Sequence, residues 1–280
     1  MGELTCYTRR HAIIRRFKFV LLISAIALMV AISAPPVAFA QAAPAAAPAH
    51  GPHWDYSGAD GPSHWGDLDP SFATCKTGKR QSPIDIKDAK KDASLAPVQI
   101  DYKPSALKII DNGHTIRINY AAGSSVTVNG KAYPLTQFHF HKPSEEEIAG
   151  KKYAMVIHLV HERPDGAVVI ALLVKSGAEN PVIKTLWANL PKAEGKETEA
   201  AGVTIDAADL LPADRNYYNF DGSLTIPPCG EGVNWFVMKT PIELSAAQIA
   251  VFAKHYPMNA RPIQPANGRE IKESEFKIPK

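Results

Sequence analysis

Short apolar and polar alternations separated by tight turns are the feature that most restricts the fold of this chain. Two of the turns are Asn-Gly pairs, Asn112-Gly113 and Asn129-Gly130, which are strong signals for hairpin loops. Proline occurs 23 times in 280 residues, and it interrupts helices far more readily than it interrupts turns. The pattern therefore predicts many turns and short strands rather than long helices, in one sheet-dominated domain.

The predicted elements follow from local periodicity and composition. Segments rich in β-branched and aromatic residues predict strands over 107–110, 115–120, 126–128, 137–141, 153–162, 167–175 and 233–240. Short peripheral helices are predicted over 181–190, 207–211 and 246–255.

The first forty residues have the organisation of a secretory signal peptide. A basic start precedes an apolar stretch over 19–34, and the small-residue pattern Ala-Phe-Ala occupies 38–40. A retained membrane anchor is the alternative, although that usually requires about 20 apolar residues. The arginine pair at 15–16 leaves both the twin-arginine and the ordinary export route open. We expect 1–40 to be cleaved.

The remainder divides into a flexible lead-in and one folded domain. Residues 41–52 are rich in Ala and Pro, whereas 53–280 carry the periodic segments. The expected destination is the periplasm or the exterior, with no membrane association after cleavage.

Charge argues against nucleic acid as a partner. The formal net charge is +3, but the leader holds five of the 31 bases and only one of the 28 acids. The mature chain is therefore close to neutral and has no basic run to bind phosphates.

Two cysteines remain once Cys6 is removed with the leader. Cys75 and Cys229 in an exported protein favour one disulfide. Two free thiols are the alternative, because sequence cannot supply the separation of the two Cα atoms.

Three histidines are candidate metal ligands. A strand over 137–141 has a side-chain period of two, which places His139 and His141 on one face. His158 lies on a mostly apolar face of the segment 153–162. Three imidazoles on neighbouring strands can fill three corners of a tetrahedral zinc site and leave the fourth for water, as catalytic zinc sites do. Taken alone, a His-x-His pair in a strand is more often surface polar alternation, and spacing does not settle the choice.

Eight segments distributed along the chain form a recognisable series: HWDYSG (53–58), GPSHWGDL (61–68), RQSPIDI (80–86), DNGHTI (111–116), QFHFHKPSE (137–145), IHLVH (157–161), GSLTIPPC (222–229) and ARPIQP (260–265). In these segments and in their order, the sequence resembles the α-class carbonic anhydrases, particularly the exported bacterial ones. This resemblance implies a predominantly β domain on a large twisted, mostly antiparallel mixed sheet with short peripheral helices. It also implies zinc-dependent, reversible hydration of carbon dioxide to bicarbonate and a proton, with incidental ester hydrolysis.

The resemblance assigns a role to each residue of the expected centre. His139, His141 and His158 would bind Zn²⁺, and a zinc hydroxide would attack carbon dioxide. Thr225 would accept a hydrogen bond from that hydroxide and donate its own proton to Glu145, which orients the nucleophile. Without the motif, Thr225 would be interpreted as a loop hydroxyl and Glu145 as a solvated charge.

Further residues match the family's pocket. His114 corresponds to the histidine that shuttles the proton to solvent. Val160, Val169, Leu224 and Trp235 correspond to the apolar wall that receives carbon dioxide.

Other matches to the family are residues expected to hold the three histidines in place or to cross-link the chain. Gln137 and the backbone of Asn259 correspond to partners of the ligand histidines, and Cys75 and Cys229 correspond to the disulfide of the bacterial members.

The sequence departs from the family at two positions that concern the third ligand. A glutamate that accepts the free ring proton of the third ligand usually lies two residues before it, but here this residue is Val156. Glu146 stands where a histidine is usual. We hypothesise that Glu146 supplies the missing carboxylate to His158. The alternative is a solvated Glu146, with water serving His158.

Two rival interpretations of the whole chain remain. A non-catalytic carbonic-anhydrase-like binding module would lack turnover, and a structural zinc protein would have four protein ligands. The expected partner is a small molecule, carbon dioxide or bicarbonate. A homodimer is left open as the oligomeric state.

Overall fold

The architecture is mostly β, in a computed structural model that describes residues 52–277. The predicted leader 1–40 and nearly all of the lead-in 41–52 lie outside the described residues. The strands are β1 (Asp85–Ile86), β2 (Lys90–Lys91), β3 (Gln99–Asp101), β4 (Ser105–Asp111), β5 (Ile116–Asn119), β6 (Ser125–Val128), β7 (Lys131–His141), β8 (Glu147–Ile148), β9 (Met155–Arg163), β10 (Gly166–Ser176), β11 (Thr198–Ile205), β12 (Tyr217–Ser223), β13 (Glu231–Met238), β14 (Ile242–Leu244) and β15 (Lys272–Glu273). The α-helices are α1 (Trp65–Leu68), α2 (Thr74–Thr77), α3 (Pro181–Ala188) and α4 (Ala246–His255), with 3-10 helices at Gly58–Asp60, Pro70–Phe72 and Ala207–Leu210.

A 13-stranded mixed sheet dominates the fold. Its main path runs β11-β4-β5-β7-β9-β10-β13-β12-β15-β2; β14 pairs with β10, and β6 pairs with both β3 and β7. Most pairs are antiparallel, and the parallel ones are β10 with β13, β10 with β14, and β15 with β2. Strands β1 and β8 form a separate parallel pair. The predicted large, mostly antiparallel mixed sheet is confirmed.

Both Asn-Gly sequences form hairpin turns, as predicted. Gly113 turns β4 into β5 with a φ of 84°, and the Asn112 side chain accepts hydrogen bonds from the backbone N–H groups of His114 and Thr115. Asn129 and Gly130 between β6 and β7 have φ values of 51° and 75°, the left-handed conformation that a two-residue hairpin loop requires.

The sheet is buried on both faces. Along β9, Met155 and Ile157 belong to a large apolar cluster that includes residues of α3 and α4. Val156 and Val160 alternate with them and belong to a second cluster around Trp235. Because strand side chains alternate between faces, His158 lies on the side of the second cluster, as its spacing predicts.

The described cysteines are joined. The Cα atoms of Cys75 and Cys229 are 4.9 Å apart, and the disulfide links α2 to the loop after β12. This confirms the predicted bridge. Within residues 52–277, no helix has the length and apolarity needed to cross a bilayer.

Candidate metal centre

Two adjacent strands bring the three predicted histidines together. His139 and His141 lie on β7, and His158 on β9 is paired directly with His139. One nitrogen from each ring lies within 4.8 Å of the others, and His141 and His158 are almost fully buried.

The two histidines of β7 are each held by their Nδ1 atom. That atom of His139 donates to the Gln137 side-chain oxygen at 2.8 Å, and that of His141 donates to the Asn259 carbonyl at 2.7 Å. The Nε2 atom of each ring is therefore directed away from these partners. For His141 this Nε2 atom is buried and has no hydrogen-bond partner.

His158 is held from the other end of its ring. Its Nε2 atom lies 3.0 Å and 3.3 Å from the two carboxylate oxygens of Glu146. Its Nδ1 atom remains free of hydrogen bonds to the protein and faces the cluster, 3.9 Å from Glu145.

These donors fit a zinc ion. Burial lowers the pKa of His139 and His141 well below the ordinary histidine value, and neighbouring imidazoles lower it further. Both rings therefore stay neutral at pH 7, the form in which imidazole binds metals. Three imidazole nitrogens, with the unpartnered Nε2 of His141 among them, make a ligand set that suits zinc and leaves one position open.

Glu145 lies beside the cluster and is fully buried. Its Oε1 atom accepts from the Arg261 backbone N–H at 2.8 Å, and its Oε2 atom lies 3.5 Å from His141 Nε2. Burial is the largest influence on the Glu145 pKa and raises it to about 7, while His158 and the Thr225 hydroxyl act in the opposite direction. The Thr225 hydroxyl thus lies close to the Glu145 carboxylate.

An apolar row runs across three strands next to the histidines. Val160 on β9 is paired with Val169 on β10, which is paired with Trp235 on β13. All three are buried, and Leu224 packs against the same cluster. The ring centre of Trp235 lies 4.9 Å from that of His158. The four residues predicted to form the wall therefore belong to one apolar cluster, which contacts His158 through Trp235.

Comparison with known proteins identifies the family. A model of the eukaryotic-type carbonic anhydrase family matches residues 60–275. The chain belongs to the α-carbonic anhydrase family. A carbonic anhydrase of Pectobacterium carotovorum is 45% identical over 223 residues, which are 78% of this chain and 90% of the relative. One from Nostoc sp. is 42% identical over 227 residues, 79% and 86% of the two chains.

Solved structures agree on the fold. The α-carbonic anhydrase of Thermovibrio ammonificans, in complex with the inhibitor sulfanilamide, has a TM-score of 0.76 and 44% identity. The similarity covers 80% of this chain and all of the other. The protein is therefore an enzyme, a lyase that acts on a small-molecule substrate.

In this carbonic anhydrase, the side chain of His114 contacts the N-terminal segment of the described chain. Its ring is stacked on Trp54 with centres 3.8 Å apart, and its Nε2 atom donates to the Trp54 carbonyl at 3.0 Å. Asn259, which holds His141, also donates to the His114 carbonyl. The contact with Trp54 has no periodic signal in the sequence and was not predicted.

Arg117 is a second residue that the sequence analysis missed. It lies on β5, paired with His139, and its charge contributes to the lowered pKa of that histidine after burial and the other imidazoles. Its Nε atom is buried without a hydrogen-bond partner. The signal was available, because Ile116 and Ile118 alternate with Arg117 and are buried on the opposite face.

Proposed function

We propose that this carbonic anhydrase is an exported zinc enzyme that interconverts carbon dioxide and bicarbonate. The proposal depends on one observation. Each of the three histidines has one ring nitrogen held by an oxygen acceptor, and the three remaining nitrogens face a common point. Such outer hydrogen bonds fix the tautomer and orientation that a metal ligand needs.

His139, His141 and His158 would hold the zinc ion, which would supply the Lewis acidity that activates a water molecule near neutral pH. The chain's own groups provide orientation. Thr225 is nearly fully buried beside the carboxylate of Glu145, whose position is fixed by the Arg261 backbone N–H. A hydroxyl that donates to a fixed carboxylate must accept from the nucleophile, which directs the attacking lone pair.

The apolar row next to His158 is the proposed binding surface for carbon dioxide. Val160, Val169 and Trp235 offer no hydrogen-bonding group toward an uncharged linear substrate, because the Trp235 N–H donates to the Ser223 carbonyl. A surface of this kind holds carbon dioxide weakly and excludes ordered water from the reacting carbon.

His114 is the proposed carrier of the released proton. Imidazole is the side chain best suited to exchange protons with solvent near neutrality. The backbone of His114 is tied through Asn259 to the ligand histidine His141, which keeps the shuttle at a fixed position relative to the centre.

The proposal extends to the chain as a whole. Residues 1–40 are a signal peptide, 41–52 a lead-in and 53–280 the catalytic domain. The disulfide agrees with an oxidising compartment such as the periplasm. Incidental hydrolysis of activated esters and inhibition by sulfonamides such as sulfanilamide are expected, since both depend on the same centre.

Stopped-flow hydration of carbon dioxide tests the proposal. The full chain is assayed as purified, after zinc removal with a chelator and after zinc is restored, and metal content is measured each time. We expect fast turnover that is lost with the metal and returns with it. Negligible turnover with one bound zinc per chain would contradict the proposal and support the binding-module interpretation.

A further inference from the structure

Two fully buried residues, Glu146 before β8 and Val156 on β9, are close in sequence or in space to His158: Glu146 contacts its ring and Val156 precedes it by two residues. We propose that Glu146 is the positioning residue that fixes His158 as a metal ligand. The carboxylate that serves this ligand is usual at position 156, and here it is supplied from position 146 while position 156 is apolar. This inference rests on the zinc site proposed above. If it is correct, retention of zinc depends on Glu146, which lies outside the strand β9 that carries His158.

The contact between Glu146 and His158 is close and unshared. Glu146 is fully buried, and both of its oxygens are within 3.3 Å of His158 Nε2. His158 is the one cationic or protonatable side chain that pairs with it among the described residues. A buried carboxylate requires such a partner, so Glu146 and His158 depend on each other.

Glu146 differs in kind from the partners of the other two ligands. His139 donates to an amide oxygen and His141 donates to a backbone carbonyl, and both of these acceptors are neutral. Hydrogen bonds to a carboxylate are shorter and stronger, and they raise the basicity of the ring that donates them. Among the three candidate ligands, His158 is therefore the one whose basicity is raised by a negatively charged partner, the Glu146 carboxylate.

The backbone around Glu146 is held in place by its neighbours. The Ser144 hydroxyl donates to the Glu146 carbonyl at 2.8 Å and accepts from the Tyr153 N–H at 2.8 Å. The next residue, Glu147, begins β8 and pairs with Asp85 of β1. The carboxylate is thus presented to His158 by a segment fixed on both sides, which makes it a precise acceptor.

Val156 occupies the position at which the family usually has the carboxylate that serves this ligand. It is fully buried two residues before His158 on β9, so both side chains lie on one face. A glutamate there would add a third buried negative charge beside Glu145 and Glu146. One acceptor for His158 can come from either position, and both together are unfavourable.

Zinc release from the loaded full-length protein tests the exchange. The variants are Glu146→Gln, Val156→Glu and the double substitution, with Glu147→Gln as a matched control. Glu147 is adjacent, partly exposed and ion-paired with Lys152. Release is followed with excess dipicolinate, and the visible spectrum of each cobalt-substituted protein reports ligand geometry.

We expect Glu146→Gln to release zinc roughly 10 to 100 times faster than the parent, the usual range for loss of an outer hydrogen-bond partner. The control should stay within about twofold. The double variant should recover most of the loss and restore the parental cobalt spectrum, because the carboxylate at 156 then replaces the one at 146.

Two results would overturn the inference. One is a folded Glu146→Gln protein, verified by circular dichroism, that releases zinc at the parental rate. The other is a double variant that retains zinc no better than Glu146→Gln. Turnover of the zinc-loaded parent decides the proposed function separately, so the two proposals can fail independently.

Discussion

His158 and His161 lie three residues apart on β9, on opposite faces of the sheet, and their environments differ accordingly. His158 faces the metal cluster and is flanked by two carboxylates. His161 lies on the opposite face, where its Nδ1 atom donates to the Val168 carbonyl and its Nε2 atom accepts from the Tyr102 hydroxyl. Burial lowers the pKa of His161 to about 4, although the hydrogen bonds to backbone carbonyls act in the opposite direction. His161 is therefore a neutral structural residue.

This predicts a loss of stability in acid that is specific to His161. The unfolded chain takes up the proton near the ordinary pKa of 6.5, whereas the folded chain does so only near 4. The free energy of unfolding should therefore fall as pH drops from 6.5 to 4, by about 3 kcal/mol from this group. In His161→Gln, urea unfolding of zinc-free protein should show a correspondingly flatter pH dependence. Parallel profiles for parent and variant would contradict the assignment.

Arg117 should affect the binding of anions. It places a cation beside His139 and forms no ion pair with another described residue. A unit charge near the site in a largely aqueous environment contributes about 0.5 to 1 kcal/mol, which is roughly a two- to fivefold change in binding. We expect Arg117→Gln to raise the inhibition constant for azide by that factor at low salt, and Arg117→Lys to raise it less.

High salt provides the control for the Arg117 prediction. Screening should reduce the difference between parent and Arg117→Gln as ionic strength increases. Lys131→Gln, a change at an exposed ion pair with Asp165, should leave azide inhibition as it is. Equal inhibition of Arg117→Gln and parent at low salt would show that the charge does not reach the anion.

At the level of elements, side chains of the central strands alternate between two faces of the sheet. One face carries the candidate site, and the other packs against the large apolar cluster. Strand β10 presents Val169 to the apolar row beside the metal ligands and Val168 to the large cluster on the opposite face. Both side chains are nearly fully buried. Neighbouring residues of the same type therefore offer matched positions at which added volume has different consequences.

Val169→Phe should reduce kcat/KM for carbon dioxide hydration on the order of 100-fold, because a ring at this position displaces the substrate from its reacting geometry. Val168→Phe is the control. Overpacking at either position should lower the free energy of unfolding by roughly 1 to 3 kcal/mol. Only the Val169 variant should lose activity at a temperature where both are folded. Equal losses in kcat/KM would show that activity follows general destabilisation.

The sequence predicts elements well where the hydrophobic period is regular, and poorly elsewhere. The seven predicted strands and three predicted helices all correspond to observed elements. Strands β11 and β12 were missed. In β11, Gly202 has a φ of 72° and the pairing with β4 shifts register between Glu199 and Thr204, so the alternation is interrupted.

Long-range polar contacts could not be predicted from periodicity at all. Arg261 is almost fully buried, where its residue type predicts exposure. Its guanidinium donates to the Gln81 side chain and to the carbonyls of Ser82 and Cys75. Its backbone N–H holds Glu145. Such contacts join parts of the chain 116 to 186 residues apart and have no local signal. The family resemblance supplied the partners expected for Glu145 and the ligand histidines, but not the contacts of Arg261.

At the scale of the whole molecule, the disulfide and the hydrogen bonds of Arg261 connect α2 and the segment after it to the loop that carries Thr225. Cys75 lies in α2, and Cys229 follows Thr225 by four residues in the loop after β12. Gln81 donates to the Cys229 carbonyl at 3.1 Å and accepts from Arg261. The loop that carries Thr225 is thus attached to the rest of the fold at several points, so its geometry should depend on each of them.

Removal of the disulfide should therefore affect both stability and turnover. The bridge closes a loop across a separation of 154 residues, for which loss of the cross-link typically costs 2 to 5 kcal/mol. We expect the double variant Cys75→Ser/Cys229→Ser to unfold at lower urea concentration by about that free energy. At temperatures where it remains folded, kcat/KM should fall severalfold while zinc content is unchanged, because Cys229 restrains the Thr225 loop and the three histidines lie on other strands.

Reductant should reproduce both effects in the parent and have no effect on the variant. A folded variant with parental stability would contradict the stabilising role of the bridge, and one with parental kcat/KM would show that β12, β13 and Arg261 alone hold Thr225 in position.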